Sequence, residues 1–221
     1  MKFLKVLFIL SALLVVLVGC GDNNNNENIN NENNNNETQN NIVSNENNIT
    51  KSEFSMGAWN GNVYTNDFLD IKFDMPASWS HYTDAEIAEV MDMGKEVAFG
   101  DDEFLKSVSE KTSVYYVVAS DSNTGNSLSI VSEKPIVDVQ IEQYMTQLKT
   151  QLDSLEAIKY ETGEVSIEKV GNVEYNILEV TVPDYNMSQK YYVKKSDKYF
   201  VGIIITAYDK EDIAEIIDMF E

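Results

Sequence analysis

The stretch Tyr199-Phe200-Val201-Gly202-Ile203-Ile204-Ile205-Thr206-Ala207-Tyr208 decides how this chain folds. Side chains of a strand alternate between its faces, so Tyr199, Val201, Ile203, Ile205 and Ala207 share one side while Phe200, Ile204 and Tyr208 share the other. Both sides are apolar. A sheet with one wet face shows polar residues at every second position, whereas a strand apolar on both sides must be covered above and below. The stretch therefore predicts an inner strand between two layers.

Working outward, Gln189 to Lys195 supplies a neighbouring strand across a turn at Ser196-Asp197. Val173 to Val182 and Glu164 to Val170, joined by Gly171-Asn172, continue the run of strands. Upstream, Ser113 to Ser120 and Ser127 to Ser132 flank Asp121-Ser122-Asn123-Thr124-Gly125-Asn126, whose residues suit a hairpin turn. Asn62 to Asn66 and Phe68 to Met75 read as two short opening strands, with Pro76 stopping the second before Trp79.

Three helices separate these runs. Thr83-Asp84-Ala85-Glu86 has the form of a capping box, and Ile87, Val90, Met91 and Gly94 follow on one face. Ile141, Tyr144, Met145, Leu148, Leu152 and Leu155 form a stripe along Val139 to Leu155. Asp209 reads as the N-cap of a last helix carrying Ile213, Ile216, Ile217 and Phe220. Lys95 to Thr112 reads as a mixed loop with a helical turn near Glu103 to Val108. The expected fold is α+β, an α/β/α sandwich whose largely antiparallel central sheet has helices on both faces.

The N-terminal segment has a different character. Lys2 and Lys5 precede an aliphatic run from Val6 to Val18 that ends in Leu17-Val18-Gly19-Cys20. This string resembles the lipobox of bacterial lipoproteins. The resemblance implies that residues 1–19 are a signal peptide and that Cys20, the only cysteine, carries a diacylglyceryl group after cleavage. The apolar run is short for a membrane-spanning helix, which needs roughly 20 apolar residues. A single acyl chain binds a membrane only reversibly, so stable anchoring requires two or more. Residues 20–52 would then be the lipidated cysteine and an asparagine-rich tether, whose few apolar residues, Ile29, Ile42, Val43 and Ile49, do not offset the cost of ordering it. Residues 53–221 form the single globular domain.

Charge narrows the choice of partner. The 221 residues include 16 lysines, no arginine and 37 acidic residues, and loss of Lys2 and Lys5 with the signal leaves a formal charge of −23. Nucleic acid and anionic headgroups need clustered positive charge, so both are excluded as partners. A cation, a basic envelope protein, or a neutral glycan or peptide fits better. With Cys20 lipidated, no thiol remains for a disulfide or for catalysis.

Within the domain, Tyr64, Phe68, Ile71-Lys72-Phe73, Pro76 and Trp79, followed by an acidic helix, hairpins and a C-terminal helix, form a further pattern. It resembles the PsbP-like fold shared by photosystem II extrinsic subunits and Ran-binding MOG-type proteins, and also small lipoproteins of low-GC Gram-positive bacteria. The similarity spans most of residues 58–221. It implies a binding or assembly factor, carries over no catalytic residue and supports no photosynthetic role.

Catalytic patterns are sparse. His81, the only histidine, follows Trp79 in an expected turn, and no Gly-x-Ser-x-Gly elbow accompanies it. Asp121-x-Asn123-x-Gly125 matches part of a calcium loop but lacks a third ligand in register and the closing glutamate, so no metal or cofactor is expected. The acidic groups Asp101 with Asp102, and Asp209 with Glu211 and Asp212, read as solvated charge and a helix cap. Trp59, Trp79, Tyr82, Tyr185 and Tyr192 lie at element ends or beside another aromatic, where a ring is able to stack on a sugar, headgroup or peptide. The expectation is a noncatalytic binding or assembly module on the extracytoplasmic face of the cell membrane. The alternatives are a carboxylate-based envelope hydrolase and a purely structural surface protein.

Overall fold

In the computed structural model, which describes residues 54–221, the deciding stretch becomes strand β11 (Tyr199–Ala207), hydrogen-bonded between β6 (Ser127–Glu133) and β10 (Met187–Ser196). The expected signal peptide, Cys20 and the tether to residue 52 lie outside the described residues. Asp197 turns β10 into β11 with a φ of 56°, in the left-handed region that aspartate tolerates better than most residues. The sheet runs from β4 (Trp79–His81) through β5 (Ser113–Asp121), β6, β11 and β10 to β9 (Val173–Val182). Beside β9 lie β7 (Glu161–Thr162) and β8 (Ser166–Val170), and every pairing is antiparallel. The chain is thus a mixed fold of α-helices around a large antiparallel sheet.

The two sides of β11 divide as the alternation requires. Phe200 and Ile204 enter one core with Tyr144, Met145, Leu148 and Leu152 of helix α3 (Ile141–Asp153) and Ile87 of helix α1 (Asp84–Phe99). Tyr144 stacks on Phe200 at 3.9 Å, and its hydroxyl donates to buried Glu133 at 3.0 Å. Burial first, then the charge of Glu133, pushes the Tyr144 phenol well above its ordinary value. Val201, Ile203, Ile205 and Ala207 enter the second core.

That second core has an unexpected cover. Instead of helices alone, a three-stranded sheet of β1 (Ala58–Asn60), β2 (Val63–Asn66) and β3 (Ile71–Asp74) supplies Tyr64, Ile71 and Phe73, and only the short helix α4 (Asp212–Ile217) joins it. Phe73 is fully buried and stacks on Phe220 at 5.0 Å, so the small sheet and the end of the chain pack on each other. Helices therefore cover one face, and a sheet with one short helix covers the other.

Three local differences have physical causes. The capping box forms as expected, with Thr83 N–H donating to Glu86 at 2.8 Å, but α1 continues past Gly94 to Phe99 and Glu103–Thr112 is a full helix, α2. Two lysines join α1 to α2: Lys95 reaches Asp92 at 2.8 Å and Glu110 at 2.6 Å, while Lys106 reaches Glu96 at 2.6 Å and Glu103 at 3.2 Å. Charged residues at helical spacing look like a solvated loop until their partners are known. At the other end, Asp209 accepts from Glu211 N–H at 3.0 Å and closes a turn, so the N-cap of α4 is Glu211, two residues later than expected. Phe68 likewise lies in the turn before β3, where Asp70 takes a φ of 53°.

Candidate functional site

The short cover on the second face leaves part of the sheet open. Along β10, Ser188, Lys190 and Tyr192 point to this side, and the β9 register sets Thr181, Glu179 and Ile177 opposite them. Glu168 of β8 lies beside Lys190. The wall is α4, which contributes Ile213, Ala214 and Ile217, and Lys210 stands just before it. Together they enclose a cleft of about 280 Å³.

The floor of this cleft is a chain of alternating charges. Lys190 Nζ donates to both Glu168 oxygens at 2.8 and 2.9 Å and lies 3.6 Å from Glu179, whose other oxygen accepts from Lys210 at 2.8 Å. The Lys190 ammonium also sits 5.3 Å from the centre of the Tyr192 ring, within range of a cation–π contact. The Lys190 side chain is only 14% exposed, and that desolvation alone would lower its pKa. The hydrogen bond to Glu168 and the surrounding charges outweigh it, so the ammonium is held above its ordinary value. Glu179 moves the opposite way, chiefly because Lys210 donates to it. A depressed carboxylate suits ion pairing and is displaced in the wrong direction for a general acid. The arrangement brings together a fixed ammonium, paired carboxylates and an apolar wall.

The five expected aromatic residues do not converge. Tyr192 is 2% exposed and forms the cleft floor, and Trp79 on β4 is 8% exposed and packs in the core, so neither offers the open ring face expected of it. Trp79 opens β4 and Tyr192 lies in the middle of β10, and both rings are spent on the core beneath the sheet. Tyr82 packs against the helix-side core. Tyr185 is partly exposed on the turn Pro183–Tyr185. Trp59 is half-buried on β1 and stacks on His81 at 4.4 Å with 16° between the rings. His81 thus belongs to strand β4 and touches the small sheet, instead of lying in a turn.

The calcium-like turn is held by internal bonds. Asp121 accepts from Asn123 N–H at 2.9 Å, and Asn126 donates to Asp212 at 2.7 Å while accepting from Tyr208 N–H at 3.3 Å. Among the described residues no cluster of three or more His, Cys, Asp or Glu is arranged to hold a metal. No motif in the sequence marks the cleft residues Glu168, Glu179, Lys190 and Lys210. One signal was present, since Lys190 shares a strand face with Tyr192 on the side that enters the core.

Comparison with known proteins finds no protein family that matches the sequence and no curated protein that matches it. Among solved structures, the solution structure of cyanobacterial PsbP (CyanoP) from Synechocystis sp. PCC 6803 is similar at a TM-score of 0.46 and 12% identity. The likeness covers 75% of this chain and 97% of that one. The structural neighbour is a PsbP-like protein. Among the described residues no helix is long and apolar enough to cross a membrane.

Proposed function

We propose that this chain is a lipid-anchored, noncatalytic binding module on the extracytoplasmic face of a cell membrane. The finer reading, a PsbP-like lipoprotein of the low-GC Gram-positive kind, belongs to the same proposal: the lipoprotein part rests on Leu17-Val18-Gly19-Cys20, and the PsbP-like, low-GC Gram-positive part on Tyr64, Phe68, Ile71-Lys72-Phe73, Pro76 and Trp79. The observation that carries the binding role is Lys190, held between two carboxylates beneath the apolar wall of α4. Such a site has charges of both signs already oriented, so a small zwitterionic or neutral glycan or peptide meets polar partners without reorganising them. Strong acidity keeps the domain off an anionic surface and leaves attachment to the lipid.

Two measurements test the two halves. Cys20→Ala should release the protein from membranes in detergent-free fractionation, and retention in the membrane fraction would remove the lipid anchor. Affinity capture from envelope extracts should enrich a component with the full chain and lose it with Lys190→Ala. Equal recovery by both would remove the cleft as the binding site.

A further inference from the structure

We propose that the groove between the ends of α1 and α3 binds a small primary amine as its alkylammonium ion, independently of the cleft beneath α4. The groove has a volume of about 620 Å³ and lies on the helix-covered face, where Val97 and Leu155 pack against the core that contains Phe200. Val97 and Phe99 come from the last turn of α1, Leu105 from α2, and Gln147 and Ser154 from the end of α3 and its cap. Val97, Phe99, Leu105 and Leu155 are half-buried, so the walls are apolar and still reachable.

The polar groups around these walls are mostly hydrogen-bond acceptors. α1 and α3 both end here, where a helix carries its partial negative charge, and neither has a basic residue in its last turn. The carbonyls of Val97 and Ala98 receive no hydrogen bond from the backbone that follows α1. Thr150 and Ser154 donate their hydroxyl protons to the carbonyls of Thr146 at 2.9 Å and Gln151 at 2.8 Å, which leaves them only lone pairs. The side-chain donors that remain on the lining are the amides of Gln147 and Gln151. Gln147 Oε1 is shut off from water and accepts no hydrogen bond among the described residues. A buried acceptor left unbonded is costly and rare, and with no bond to lose it gains by turning toward a donor that enters the groove.

Charge and shape select the occupant. Glu156 is the one carboxylate on the lining, it has no ion-pair partner among the described residues, and no lysine lines the groove. The cleft beneath α4 is the reverse case, since Glu168 and Glu179 are already paired with Lys190 and Lys210. An anion in the groove would meet carbonyls and a carboxylate, and a neutral alcohol would leave the charge of Glu156 unanswered. A metal ion would find too few oxygens, since no cluster of three or more acidic or other ligating side chains lies among the described residues. A primary ammonium has three N–H donors and no acceptor, which matches the Gln147 oxygen, the helix-end carbonyls and Glu156. Its alkyl stem would lie against Val97, Phe99, Leu105 and Leu155, in a space of the size usual for small ligands.

The test titrates the full chain with hexylammonium chloride at neutral pH and constant ionic strength while following single backbone amides by NMR. Expected are saturable shifts at Val97, Phe99, Gln147 and Leu155 and none at Ser188 or Lys190, which separates this site from the cleft. Hexanol, with the same stem and no charge, should bind about tenfold more weakly, while hexanoate and ammonium chloride should leave these amides unmoved. Gln147→Leu keeps the volume and removes the acceptor, so it should weaken binding about tenfold. Glu156→Gln removes an exposed charge that the fold does not use and should weaken binding about threefold. The proposal is overturned if hexylammonium moves none of these amides, if hexanoate or hexanol binds as tightly, or if neither variant weakens binding. It is also overturned if a lysine capped at both ends binds more tightly than hexylammonium, which would give the groove to a side chain of a partner protein.

Discussion

The two faces of the eight-stranded sheet are covered by elements of very different length, and that difference locates the candidate site. On one face, α1 and α3 have 16 and 13 residues, which at 1.5 Å per residue reach about 24 and 20 Å across the strands. The core beneath them is closed, with Met145, Leu148 and Tyr191 fully buried. On the other face, α4 has six residues and reaches only about 9 Å. Beside it the inward positions of β9 and β10 change from Ile177 and Tyr192 to Glu179 and Lys190. A long cover forces an apolar floor, and a short one leaves room for charge at the same depth in the sheet.

The largest expected effect contrasts a residue under the long cover with one under the short cover. Leu148→Ala should destabilise the protein by about 2–5 kcal/mol, because a fully buried leucine leaves both lost contacts and a cavity. Ile217→Ala, half-buried at the rim of the cleft, should cost less than about 1.5 kcal/mol. Urea unfolding measures both, and equal losses would mean that the two faces are equally closed.

A smaller effect concerns how the short cover is held. Asn126 binds Asp212 of α4 and the backbone of Tyr208, so Asn126→Ala should cost about 1–3 kcal/mol and speed amide exchange in α4 more than in α3. Uniform acceleration across both helices would show that Asn126 supports the whole fold and not this cover in particular.

The smallest effect depends on pH. The Lys210 ammonium, donating to it, holds the Glu179 carboxyl below its ordinary value of about 4.5. The stability this contributes is fully present above about pH 4.5 and is lost as pH falls through the lower folded value. Both groups are largely solvated, so the contribution is below about 1 kcal/mol. Lys210→Ala should therefore narrow the stability difference between pH 7 and pH 3, as measured by urea unfolding at each pH. An unchanged difference would remove the Lys210–Glu179 pair from the account.

The sequence revealed what repeats at a fixed spacing. Alternation in β11 assigned Phe200 and Ile204 to one core and Val201 and Ile203 to the other, and of the α3 stripe Tyr144, Met145, Leu148 and Leu152 are buried while Ile141 and Leu155, the latter past the helix end, only pack against the core. Helix α2 was hidden because its contacts with α1 are ion pairs of Lys95 and Lys106, which leave no apolar period. The three-stranded cover was hidden because β1 is three residues long, with Trp59 as its one large apolar residue. The aromatic candidates were dispersed because position at an element end does not say which way a ring turns. The cleft joins β8, β9, β10 and α4 through tertiary register, and only Lys190 opposite Glu179 across two strands makes it visible.

In the proposed function, the opening beneath α4 holds the ligand. Photo-crosslinking in intact cells tests it directly, with p-benzoylphenylalanine placed at Ala214 on the cleft wall or at Ala88 on the exposed side of α1. Position 214 should give a discrete adduct that Lys190→Ala abolishes, while position 88 gives none. Adducts of equal yield at both positions, or an adduct at 214 that survives Lys190→Ala, would contradict it.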